Sequence, residues 1–231
     1  MRNRLGRVRA LFIALRVIVA VAIIAAVVGQ LLVSLDFWRA AGVTNTGSNV
    51  ANFFSFFTVD ANVASAVVLL IGAGLGVAGR SVDPGWFAMT RASVTTYMVV
   101  TGIVYNLLLR GIELPQGSTL GWSNEVLHVV APVYLLLDWI LAPGRRALGA
   151  KRIWPILVFP ILWVVYTLVR GPFVVDQVYD TDYWYPYPFL NPDTSANGYS
   201  SVAFYVVLIA AVIGLVAAGV LWISRRRAVA D

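Results

Sequence analysis

The sequence predicts an all-α, polytopic membrane protein with six transmembrane helices and both termini on the cytoplasmic side. Three observations lead there. Of 231 residues, 60% are hydrophobic and 12% are charged, with a mean hydropathy of +0.81, well outside the range of a soluble globular domain. Apolar runs long enough to cross a bilayer recur along the chain. Arg and Lys gather in alternate connections between those runs, as they do in cytoplasmic loops. Six spans use nearly all of the chain, so residues 1 to 231 read as a single integral membrane domain.

The first span, about 11 to 35, follows the basic start MRNRLGRVR. Its apolar part is too long for the core of a signal peptide, so it reads as a retained helix. Arg16, about 8 Å inside it, is expected to snorkel back to the surface. The second span, 53 to 78, opens within NFFSFFTVDAN. At 100° per residue Ser55, Thr58, Asn62 and Ser65 share one stripe, continued by Gly72 and Gly76, a small face that suits close helix packing. The third span, 86 to 109, ends in TGIVYNLLLR, which carries Asn106 and Arg110. The fourth, 122 to 142, opens in GWSNEVLHVVAPVY and places Asn124, Glu125 and His128 on one face. Asp138, beside Trp139 at its far end, reads as an interfacial or packing residue. Spans five and six cover about 153 to 169 and 199 to 223.

Between these last two spans lies the long segment 171 to 198, with Asp176, Asp180, Asp182 and Asp193. Its centre, YWYPYPFLNP, has prolines that forbid a helix. The aromatics fit either a belt at the headgroups or a lid over a pocket.

Orientation follows from the basic residues. Arg2, Arg4, Arg7 and Arg9 precede span one, and Arg80 and Arg91 flank the next turn on that side. Arg145, Arg146, Lys151 and Arg152 lie between spans four and five, and Arg225, Arg226 and Arg227 follow span six. The opposite side holds Arg39, Arg110 and Arg170. This distribution places the acidic loop outside a cell membrane. The formal charge of +6 then implies contact with anionic lipid, not nucleic acid. Cys is absent, which excludes disulfides and thiolate chemistry. The single His lacks the inward carboxylates a metal site requires, so no metal or cofactor is expected.

Depth links the polar residues. Thr58 lies about 7 Å below the start of span two, His128 about 9 Å below Trp122, and Asn106 about 6 Å from Arg110, all measured from one side. A Thr hydroxyl becomes a useful nucleophile when a neutral imidazole within reach takes its proton. His128 is the only histidine. Asn124 or Glu125 could orient the imidazole, and Asn62 or Asn106 could donate to an oxyanion. A substrate reaching such a depth must itself be lipid-like. The same residues are also compatible with a non-enzymatic protein, either a small transporter or a structural partner.

NFFSFFTVDAN, GIVYNLLLR, EVLHVVAPVYLLLDW and WYPYPFLNP resemble, over nearly the whole chain, the bacterial six-helix family called Pr6Pr. The matching motifs are N-x-F-S-x-F-T and L-H-x-x-x-P. That family is distantly similar to the eukaryotic androgen-induced and androgen-dependent membrane proteins, threonine hydrolases of fatty acid esters of hydroxy fatty acids. The resemblance implies a lipid ester hydrolase whose Thr and His fall at Thr58 and His128.

Overall fold

The computed structural model describes residues 2–112 and 117–226, with side chains from residue 6 onward. The side chains of Arg2 and Arg4, and Arg227, lie outside the described residues. Among the described residues there is no strand beyond one isolated bridge, Asp176 to Thr181. Six helical segments are long and apolar enough to cross a membrane: Gly6–Ala40, Phe57–Val77, Gly85–Leu109, Gly121–Leu141, Ala150–Phe173 and Tyr199–Arg226. The protein is a multi-pass helical bundle.

In chain order, α1 is Arg2–Ala40, α2 Thr46–Phe53, α3 Phe57–Val77 and α4 Gly85–Val104. The fourth span is α5, Gly121–Glu125, continuing through a π-helical turn into α6, Ala131–Leu141. Then come α7, Ile153–Arg170, and α8, Tyr199–Arg226. Helix α4 is the central post, packing against α3, α6, α7 and α8, and its span is the most buried. Helix α1 lies along α3. The small stripe explains how closely: a Cβ on Gly76 would stand 2.8 Å from the Ile13 side chain, and one on Gly72 would stand 3.0 Å from the guanidinium of Arg16.

Arg16 does not snorkel. It is buried, and its Nε donates to Asp138 Oδ1 at 2.8 Å while Nη1 donates to the Gly72 carbonyl at 2.9 Å. Asp138 is correspondingly a packing residue, the second of the two readings its sequence position allowed, and not an interfacial one. Its Oδ2 also accepts from Arg91 Nη2 at 2.8 Å, and Arg91 Nη1 reaches Asp83 Oδ2 at 2.8 Å. Two cations and two carboxylates thus balance one another inside the bundle, joining α1, α4, α6 and the turn before α4. Arg91 belongs to this cluster and is 1% exposed, so it is not a loop charge. Arg145 is also buried, donating to the carbonyls of Trp139 and Ile140.

A second departure lies where the second span begins. The helix expected from residue 53 is broken at residues 54 to 56, with α2 before and α3 after. No Gly or Pro causes this; tertiary partners do. The Ser55 hydroxyl folds onto the Ala51 carbonyl and meets Tyr166, and the Ser55 carbonyl accepts from Trp163 Nε1. Ser55 is thereby fixed by α7, and Thr58 becomes a first-turn residue of α3.

The segment 171 to 198 folds inward. Trp184, Tyr185, Tyr187 and Leu190 are buried, so this is a cover over the end of the bundle, not a belt facing lipid. It is pinned at Gly171, whose carbonyl accepts from the Trp184 N–H at 3.0 Å. A Cβ there would stand 2.2 Å from the Tyr185 ring. Gly171→Ala should therefore displace that ring and destabilise the cover by about 1–3 kcal/mol. Faster proteolysis within the segment, read beside the unfolding temperature in detergent, is the check.

Candidate active site

Two π-helical turns stand side by side beneath the cover, Tyr105–Leu109 at the end of α4 and Val126–Val130 between α5 and α6. Such turns widen a helix locally and release carbonyls from the regular ladder, and they recur at functional sites. The second is explained by Pro132. Ala131 N–H bonds the Val126 carbonyl, five residues back, and Pro132 has no N–H to offer. The Leu127 carbonyl accepts instead from Asn62 Nδ2 at 3.1 Å, and the His128 carbonyl from Asn106 Nδ2 at 3.3 Å.

These bonds define the roles of the two amides. Asn62 Nδ2 also donates to the Thr58 carbonyl at 2.9 Å, and Asn106 Nδ2 to the Gly102 carbonyl at 2.8 Å. Each NH2 group has spent both hydrogens on backbone. Contrary to the expectation from sequence, neither amide is free to stabilise an oxyanion; both brace the helices that carry Thr58 and His128.

His128 is 9% exposed. Its Nδ1 lies 2.9 Å from the backbone carbonyl of Asn124. A carbonyl only accepts, so the neutral ring carries its proton on Nδ1 and offers Nε2 as a base. The imidazole stacks on Tyr105, with ring centroids 3.8 Å apart and planes at 22°. The Asn124 side chain bonds the Tyr105 hydroxyl, holding that ring as a backing plate. Asn124 thus orients the imidazole through its main chain. Glu125 does not touch the ring; it forms a two-pronged pair with Arg110, at 2.7 and 3.2 Å, at the half-exposed rim.

Thr58 and His128 line one small cavity of about 40 Å³, together with Gln30, Ser123, Asn124 and Tyr187 and with the apolar side chains of Phe53, Phe56, Val59 and Leu127. That is room for a water molecule. No hydrogen bond joins Thr58 to His128 among the described residues. The Thr58 hydroxyl instead meets Tyr187 Oη at 3.3 Å, and the same phenol accepts the Thr58 N–H at 3.2 Å. Thr58, Tyr105 and Tyr187 also line a second cavity of about 190 Å³, walled largely by apolar residues of α4, α7 and α8. Its wall includes Ile161 and Ala210, both exposed on the outer face of the bundle. Thr58 and Tyr187 therefore line both the small cavity that holds His128 and the apolar chamber.

Tyr187 and Tyr105 are the site residues that sequence reasoning missed. Tyr105 sits one residue before Asn106, in a segment already singled out. Tyr187 is one of several aromatics in YWYPYPFLNP, and nothing in that run distinguishes an inward ring from an interfacial one. Among the described residues no group of His, Asp and Glu side chains is arranged to hold a metal ion. Comparisons with protein-family models, with curated proteins and with solved structures return no match. The chemistry is therefore read from the geometry.

Proposed function

We propose that this protein is an intramembrane hydrolase of lipid esters, with Thr58 as nucleophile and His128 as general base. The observation that carries this reading is the shared cavity. A hydroxyl and an imidazole with a free Nε2 line one small cavity, and Thr58 also lines an apolar chamber suited to an acyl chain. Thr58 Oγ1 bonds to the acyl carbon while its proton passes to His128 Nε2. The tetrahedral intermediate then expels the alkoxide, which leaves with that proton as the alcohol. Water, with His128 again as base, adds to the acyl-Thr58 ester and releases the carboxylic acid. The balance is ester plus water to acid plus alcohol.

Lipid enters by way of the chamber, whose wall reaches the outer face of the bundle at Ile161 and Ala210. A non-enzymatic role, as small transporter or structural partner, would draw on the ionic cluster around Asp138. That cluster is internally balanced and serves to join helices. The purified protein in detergent should hydrolyse long-chain p-nitrophenyl esters faster than short-chain ones. Equal rates, or none with any ester, would count against the reading.

The basic end of the bundle belongs in the cytoplasm of a cell membrane in this account, with the site near the outer leaflet. Arg7, Arg9, Arg80, Arg146, Lys151 and Arg152 all lie at that end. A phosphatase reporter fused after residue 226 should be inactive, and one inserted in the 171 to 198 segment active. The reverse pattern would invert the topology.

A further inference from the structure

We infer that Tyr187 is a third catalytic residue, its phenol O–H serving as the oxyanion donor. This rests on the Thr58 and His128 reading above.

An acyl-transfer site needs donors where the carbonyl oxygen gains charge. The two candidate amides, Asn62 and Asn106, have no hydrogen to give. Helix α3 has no side-chain cap at Phe56, so its first-turn amides are the donors left unserved by the helix. One of them belongs to Thr58, and it donates to Tyr187 Oη, which holds the phenol beside the nucleophile.

The distances fit. An oxyanion donor has to stand about 2.7–3.1 Å from the position the oxyanion will occupy, next to the attacking oxygen. Tyr187 Oη is 3.3 Å from Thr58 Oγ1. The ring is held from several sides, stacked on Phe189 at 5.2 Å and set edge-on to Phe56 at 5.6 Å. Its hydroxyl is thus placed before substrate arrives. Burial pushes the phenol up to about 12, which keeps its proton in place at neutral pH. Tyr187 lines both cavities, as Thr58 does, so a carbonyl held at Thr58 lies beside it.

The test measures phosphonylation by a dodecyl fluorophosphonate. In that step the Thr58 Oγ1–P bond forms, the P–F bond breaks and fluoride leaves with its electron pair. The Thr58 proton passes to His128 Nε2, and the P=O oxygen gains charge at the site assigned to Tyr187. Tyr187→Phe should lower the maximal labelling rate on the order of 10²-fold while leaving the concentration for half-maximal rate unchanged. A packing role would shift that concentration or the unfolding temperature and spare the maximal rate.

If Tyr187→Phe is poorly folded, 3-fluorotyrosine at position 187 preserves the ring and makes the phenol a stronger donor, and labelling should then accelerate. Wild-type labelling at Thr58 with no change in rate for the variant overturns the role of Tyr187 alone. No labelling of Thr58 in the wild type overturns the nucleophile, and the oxyanion donor with it.

Discussion

Thr58→Val is expected to lose on the order of 10³-fold or more in ester turnover while remaining folded. Valine keeps the β-branched shape of threonine and removes only the hydroxyl, so the first turn of α3 retains its packing. The bond from the Thr58 N–H to Tyr187 survives, because it is made by the main chain. What is lost is the attacking oxygen and its contact with Tyr187 Oη, a stability cost of about 1 kcal/mol. His128→Ala should fall by a similar factor. The double variant should be scarcely worse than either single one, since nucleophile and base act as a unit. Thr58→Ser should retain measurable turnover. Steady-state rates on a long-chain ester, with the unfolding temperature of each variant measured alongside, decide the matter. Wild-type turnover by Thr58→Val would make Thr58 a packing residue.

Asp138→Asn is expected to be the most destabilising single change in the bundle. The carboxylate accepts from Arg16 and Arg91 together and is 1% exposed. Neutralising it leaves two buried guanidinium groups facing one remaining anion, Asp83. Removing one partner from a buried ion pair costs about 3–5 kcal/mol, because the charge left behind is uncompensated. Arg91 keeps its bond to Asp83, so Arg16 is the group left without an anion. Arg16→Met combined with Asp138→Asn should therefore recover part of the loss, and this coupling distinguishes an ionic cause from general disruption. Thermal unfolding in detergent measures both. A double variant no more stable than Asp138→Asn would contradict the account.

The spans were legible because crossing a bilayer requires about 20 apolar residues, a signal that depends on length more than on detail. Thr58 and His128 were legible as polar residues placed where polar residues are expensive. The break at residues 54 to 56 was not, since its causes are Tyr166 and Trp163, more than a hundred positions away. Arg16 reads as a snorkelling residue until Asp138 is set beside it. The two π-helical turns had a partial signal: Pro132 follows His128 by four residues, which deprives the His128 carbonyl of its regular donor. The roles of Asn62 and Asn106 turned on hydrogen counts, and those depend on which carbonyls the turns release. Tyr187 was hidden among neighbours of the same kind.

The most direct measurement of the central claim is the site of covalent capture. Protein treated with a dodecyl fluorophosphonate, digested and analysed by mass spectrometry should carry the adduct on Thr58, in the peptide spanning NFFSFFTVDAN, and Thr58→Val should carry none. An adduct on Ser55 or another hydroxyl, or an unlabelled wild-type protein, would contradict the account.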